Sequence, residues 1–449
     1  MGIAKDLKRQ SRFSVISAAP ALLVLTSLIG LESAMAQVPD RIEIDQDRIE
    51  ANGIRCIRGK HIDVYTDLPS VEDVDELPEV FDQAVPQWSS YFNIDRAKTV
   101  DWKLNCFLMV DKEKFEKAGL LHSDLPPFLN GYQEGHQFWV FEQPSPFFRR
   151  HLMLHEGTHA FMNLIMGGAG PPWYLEGMAE LLGCHRWQAG KLAIGYRITS
   201  HEESPYWGRV KIIKDAVQDG AQLSLQEVLF MEQSAFLKTN AYGWAWAAAA
   251  FFDGHPAYRD RFRKLQANVR DRSKRFTQQF IEELDPDWSQ VVEQWQLFLA
   301  EMDYGYDIER AAVAYQEKTD SIPKDGILID IASDRGWQSS GFRVEAGQKL
   351  LIRAQGRYQV AAQPKPWWCE PDGVTIQYYR GKPLGALVVA VRDEKIPLEG
   401  SSPLVKSVLV GTQTESEFER SGTLFFRINE SPTSLSDNQG EINISVKPQ

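Results

Sequence analysis

Along the chain the spacing of apolar residues passes through distinct regimes, and each predicts its own kind of element. After a cationic opening (Lys5, Lys8, Arg9, Arg12), a mostly apolar run covers residues 15–31 and is followed by Ala34-Met35-Ala36. A basic start, an apolar middle and an A-x-A site describe a signal peptide over residues 1–36, cleaved before Gln37. The run contains Ser17, Pro20 and Ser27 and falls short of the ~20 apolar residues that a bilayer span needs, so no stable membrane span is expected after cleavage. The expected destination is periplasmic or extracellular.

From residue 37 to about 143, short apolar or alternating runs (61–65, 103–110, 136–141) flank a helical stretch over 71–91, the pattern of an α+β lobe. Ser145 followed by Pro146 reads as a helix start. That helix is expected to run from near Phe147 to about Met166, where Gly167-Gly168-Ala169-Gly170-Pro171-Pro172 stops it. A second helix follows the prolines, and residues 207–304 read mainly as helix, most plainly 241–252 and 288–302. After Asp307 the period shortens to two, in runs over 327–331, 349–354, 386–391, 423–428 and 441–446 punctuated by Gly, Pro, Asn and Asp. Such spacing predicts an all-β sandwich. The expected organisation is therefore an α+β domain over 37–316, a polar linker over 317–324 and a β-sandwich over 325–449.

Composition supports buried cores, since 43% of the 449 residues are hydrophobic and 24% charged. The net charge of −12, with no stretch dense in Lys or Arg, excludes a phosphate-tracking surface, so nucleic acid is not an expected partner. Four cysteines in an exported chain are too few for a disulfide framework. Cys56 and Cys106 both sit in strand-like stretches, and neighbouring strands would bring them within bridging reach, so a Cys56–Cys106 disulfide is expected, with two buried thiols as the alternative.

The chemistry lies in the first long helix, which carries His155-Glu156-Gly157-Thr158-His159. Spacing of four places both imidazoles on one helical face where they can share zinc (Zn2+), with Glu156 beside them as general base toward water at the metal. A lone charged helix face with satisfied histidines is the alternative. His151 lies one turn upstream, but Leu152 follows it and offers no base, so His151 is expected to support the site without ligating. A catalytic zinc takes three protein ligands and keeps a position open. Met162 and Ile165 occupy the positions where metzincins need Gly and His, which rules that family out.

Downstream, Trp173-Tyr174-Leu175-Glu176-Gly177-Met178-Ala179-Glu180 opens the second helix. With it the sequence resembles the gluzincin zinc metallopeptidases (HExxH…E, MA-like), whose second helix carries W-x-x-E-G-x-A. The resemblance implies a zincin-like fold, peptide or protein substrates, and Glu176 as third ligand. Glu180, one turn further on, could accept a hydrogen bond from a ligating histidine. A tyrosine downstream of the third ligand often stabilises the oxyanion in gluzincin aminopeptidases; here that implies Tyr242, with His185 and Tyr206 as rivals. A strand near 136–141 is expected to align an extended peptide.

Over 325–449, Gly336-Trp337-Gln338-Ser339-Ser340-Gly341-Phe342-Arg343-Val344, Pro383-Leu384-Gly385-Ala386-Leu387, and Asn429-Glu430 with Asp437-Asn438-Gln439-Gly440 resemble the PA-IL-like galactose-binding lectins. The resemblance implies calcium (Ca2+) held by Glu430, Ser434, Asp437 and Asn438, and a cell-surface glycan as partner. The chain departs from it in carrying Glu430 where those lectins have Asp, and in lacking their His-Pro-Asp segment. The expectation is a zinc metallopeptidase with a non-catalytic C-terminal module. Its rivals are an envelope binding protein with a structural zinc site and a zinc hydrolase of non-peptide amides.

Overall fold

The first sheet forms where the alternating runs stand, and its order fixes where the helix carrying His155 and His159 can lie. The computed structural model describes residues 40–206, 208–395 and 400–449; the expected signal peptide lies outside the described residues. The strands are β1 (Arg55–Arg58), β2 (Ile62–Thr66), β3 (Leu104–Met109), β4 (Gly131–Glu134) and β5 (Gln137–Phe141), in the order β1-β2-β3-β5-β4. β2, β3 and β5 run parallel, while β1 and β4 are antiparallel at the two edges. β3 is buried along its whole length, which explains its unbroken apolar sequence.

This order overturns the expected Cys56–Cys106 bridge. Cys56 lies opposite Tyr65 and Cys106 opposite Val64, so β2 separates them. Because successive residues of a strand face opposite sides, the two thiols also point to opposite faces. All four cysteines are free thiols.

Helix α1 (Leu77–Tyr91) covers one face of the sheet, and α2 (Pro146–Ala160) packs beside it. Ser145 caps α2, its Oγ accepting from Phe148 N at 3.3 Å, with Pro146 in the first turn. The helix continues as a π-helical turn, Phe161–Met166, and stops at Gly167, whose φ of 82° ends it in the left-handed region. There follow α3 (Pro172–Gly183), α4 (Arg209–Gln218), α5 (Thr239–Gly254) and α6 (Trp288–Ala300). No helix among the described residues is long and apolar enough to cross a membrane.

Beyond residue 320 the elements are mainly strands, of which the longer ones in the two main sheets are β6 (Ile327–Ala332), β7 (Gln338–Val344), β8 (Lys349–Gln355), β9 (Leu387–Arg392), β10 (Gln413–Glu417), β11 (Gly422–Ile428) and β12 (Glu441–Pro448). One sheet runs β10-β8-β12-β6; another runs Val408–Leu409, β9, β11, β7, Asp320–Ser321. Ile352 and Ile444 of the first share an apolar cluster with Leu387, Val389 and Phe426 of the second. The chain as a whole is mixed α+β with several sheets. Asp320–Ser321, in the polar segment 317–324, pairs in parallel with Phe342 and Arg343.

β9 and β11 are buried on both faces, because α6 covers the side turned away from the sheets' shared core. There Leu297 of α6 meets Val388, Ala390 and Phe425. Two ion pairs flank this contact. Glu293 accepts from Arg392 Nε at 2.9 Å, and Glu301 takes a bidentate pair from Arg427 at 2.6 and 3.0 Å. Glu293, Leu297 and Glu301 are spaced by four and so form one stripe of the helix.

Candidate metal centre

α2 and α3 lie side by side, and the side chains between them converge on a point. His155 Nε2 is 3.0 Å from His159 Nε2 and 3.2 Å from Glu176 Oε2; His159 Nε2 is 3.4 Å from the same oxygen. Ligands 2.0–2.2 Å from one tetrahedral ion stand about 3.3–3.6 Å apart, and these spacings, in or just below that range, suit zinc coordination. Glu176 Oε2 is buried with no hydrogen-bond partner of normal geometry, an orphaned acceptor of the kind a cation satisfies. Two imidazole nitrogens and a carboxylate oxygen are also the donor set zinc takes in catalytic sites. The residues fit the ion. His155, His159 and Glu176 are all buried.

The supporting charges are as closely arranged. Glu180 Oε1 lies 3.2 Å from His155 Nδ1, and its Oε2 lies 3.2 Å from His151 Nε2. With an ion at the cluster, a proton kept on Nδ1 by that carboxylate would leave the Nε2 lone pair for the metal. Arg209 of α4 clamps the same carboxylate, with Nη2 2.6 Å from Oε1 and Nε 2.5 Å from Oε2. His151, His155 and Glu180 form a second group with metal-ligand spacing, but a guanidinium already neutralises its only carboxylate.

Each shift in acidity has a local cause. Burial raises the Glu176 carboxyl, but His159 and His155 outweigh it and hold the group down to about 2. Burial lowers His155, yet Glu176 and Glu180 push it up to about 10. Glu180 is held well below the usual carboxylate range because Arg209 and His151 overcome its desolvation. Glu156 moves the other way, raised by burial against the pull of His155 and His159. A carboxyl raised this way is a better proton acceptor than an exposed one.

A cleft of about 710 Å³ opens over these groups, bordered by β4 on one side and by α5 with the preceding loop on the other. Of the three candidates for oxyanion donor, Tyr242 lines this cleft, its ring 5.9 Å from that of His155. His185 instead gives Nδ1 to Gly183 O at 2.8 Å, meets Arg150 Nε at 3.2 Å and stacks on Phe147. Tyr206 is exposed and is not among the residues lining the cleft.

The strand expected to align a peptide, 136–141, is an inner one: β5 bonds β3 on one side and β4 on the other. Sequence reasoning missed β4, which forms the outer edge of the sheet and borders the cleft. A Cβ on Gly131, its first residue, would fall 2.3 Å from Glu156 Oε1. Arg209 was missed as well, and nothing in its local sequence distinguishes it from a surface arginine.

In the C-terminal half, Glu430 and Asn438 come together, with Asn438 Nδ2 donating to Glu430 Oε2 at 2.6 Å. Both are buried. Asp437 Oδ2 instead accepts from Ala362 N at 2.8 Å, and Ser434 is exposed. Burial pushes the Glu430 carboxyl up to about 8.

No protein-family model matches this chain, and no curated protein matches it in sequence. Among solved structures, a weak neighbour is the N-terminal domain of EclA, a PllA-like lectin. It is 17% identical, with 28% of this chain and 100% of that one covered and a TM-score of 0.21. A second is PliG of Aeromonas hydrophila, a periplasmic inhibitor of g-type lysozyme, at 10% identity, covering 29% of this chain and 98% of that one with a TM-score of 0.17.

Proposed function

We propose that this chain is an exported zinc-dependent metallopeptidase of the gluzincin type, with a zincin-like catalytic half and a non-catalytic, lectin-like β-sandwich. The observation that carries the reading is the convergence of His155, His159 and Glu176 beside Glu156, at the floor of an open cleft with a strand edge along it. His155, His159 and Glu176 would hold Zn2+, which when bound supplies Lewis-acid chemistry and makes water acidic enough to attack at neutral pH. Glu156 takes the proton from the attacking water and hands it to the leaving amine, a task suited to a carboxyl whose pKa burial has raised. Tyr242 donates its hydroxyl to the oxygen on which charge develops. Glu180 and Arg209 fix the tautomer and orientation of His155. β4 offers backbone groups to an extended substrate.

Replacing Glu156 with Gln tests the assignment, because it preserves volume and removes the base. E156Q should retain about one zinc per chain while hydrolysis of a peptide library falls by roughly 10²–10⁴-fold. Equal rates for E156Q and wild type would sink the mechanism. Zinc bound with no turnover of any peptide would favour an envelope binding protein, and turnover confined to cell-wall amides would favour a hydrolase of non-peptide amides.

A further inference from the structure

The cleft carries information about its substrate that the metal cluster does not. Two of the most exposed large apolar side chains in the described residues stand on it: Leu129, 77% exposed on the loop before β4, and Leu237, 76% exposed at the end of the 3-10 turn Gln233–Leu237 before α5. Phe128 and Phe236, their neighbours in sequence, line the same cleft. Apolar side chains exposed singly, such as Leu328 and Ile376 elsewhere on the surface, need no explanation, but several gathered on one concavity mark a binding surface.

The charges of the cleft are just as informative. Among the described residues lining it, each charged side chain already has a task. Glu176 belongs to the metal set, Glu156 faces the cleft as base, and Glu180 and Arg209 bind each other. The other polar lining groups, such as Asn130, Gln233, Ser234 and Thr239, are uncharged. An aminopeptidase needs a carboxylate for the substrate's terminal ammonium, and a carboxypeptidase needs a cation for the terminal carboxylate; leaving either charge unpaired in a cleft is costly. Carboxamides and hydroxyls instead suit the amide groups of a continuous backbone. β4 adds the unpaired edge that such a backbone can extend.

We infer that the cleft takes an interior, uncharged stretch of extended polypeptide and seats apolar side chains on Leu129 and Leu237, so that the enzyme is an endopeptidase acting between large apolar residues. This rests on the zinc peptidase reading above and adds the substrate class.

The test uses the full-length, zinc-loaded protein and an eight-residue peptide, acetylated and amidated, with Leu-Phe at its centre. The comparison substrates are the same peptide with Asp-Lys at its centre, free dipeptides, and aminoacyl anilides. The blocked Leu-Phe peptide should be cut with kcat/KM at least about ten-fold above every comparison substrate. In the L129D/L237D variant, kcat/KM for that peptide should fall about ten-fold or more, chiefly through KM, with zinc content unchanged. Faster cleavage of the anilides or free dipeptides, or indifference to the central residues, would overturn the inference and leave the peptidase reading standing. Failure of the zinc-loaded protein to cut any peptide would overturn both.

Discussion

The contact between α6 and the β9–β11 face gives a quantitative expectation about stability. Glu293 is 1% exposed and Arg392 4%. The Glu293 carboxylate accepts three hydrogen bonds from different parts of the chain: Arg392 Nε, Ser402 Oγ and Tyr315 OH. E293L removes the negative charge that faces the buried Arg392 guanidinium. Breaking a buried pair from one side costs about 3–5 kcal/mol, whereas replacing both partners with apolar groups of similar size is often neutral. E293L and R392M should therefore each lose about 3 kcal/mol, and E293L/R392M should lose much less than their sum, a coupling of at least about 2 kcal/mol. Urea unfolding followed by tryptophan fluorescence measures the cycle, and the slope of ΔG against denaturant shows whether the transition stays single. A coupling below about 0.5 kcal/mol would refute the claim that this pair joins the helix to the sheets.

Two further expectations follow from particular side chains. Glu430 is raised from 4.5 to about 8 in the folded state, so the fold binds the extra proton between those values. Stability should fall as pH rises from about 4.5 to about 8, by on the order of 3–5 kcal/mol in all, and E430Q should flatten the curve. Thermal unfolding across that range, with and without Ca2+, checks this. A wild-type curve no steeper than that of E430Q would count against it, and a slope abolished by micromolar Ca2+ would assign Glu430 a ligand role. G131A places a methyl 2.3 Å from Glu156 Oε1; the carboxylate must move, and turnover should drop about 100-fold with zinc retained. Unchanged turnover would show that Glu156 can work from elsewhere.

The strongly periodic parts of the fold were legible in the sequence. The expected helix over 241–252 appears as Thr239–Gly254, and the expected strand over 349–354 as Lys349–Gln355. β4 was not legible, since Gly131-Tyr132-Gln133-Glu134 is a half-buried edge strand whose side chains follow no alternation. The cysteine pairing failed for a topological reason: strand-like sequence around Cys56 and Cys106 says nothing of the strand that lies between them. Glu293 and Glu301 look like solvent-facing helix charges, and only their four-residue spacing with Leu297 hinted at a covered face. Of the site, His155 and His159 could be read from their spacing on one helix, whereas Glu176 came from the resemblance of the second helix's motif, with Glu180 one turn beyond it. Arg209 could not, because tertiary packing alone brings α4 to α3.

The opening of α3 shows why Trp173, Glu176 and Gly177 belong together. Trp173 is fully buried, donates Nε1 to Thr277 Oγ1 at 2.8 Å and stacks on Phe280, which anchors the start of the helix. Gly177, four residues on and therefore on the same face, allows α5 to approach. A Cβ there would sit 2.8 Å from Ala245 O and 3.2 Å from Ala249 Cβ. With that face committed to the helices behind it, Glu176 and Glu180 are turned toward α2, again four residues apart. One carboxylate meets the imidazole edges at Nε2 and the other meets Nδ1 of His155. The spacing that presents two acids to the histidines is thus fixed by apolar and small residues that never touch the cleft chemistry. A substitution at Gly177 should misplace Glu176 as surely as one at Glu176 removes it, because the backbone of α5, unlike a flexible side chain, cannot yield.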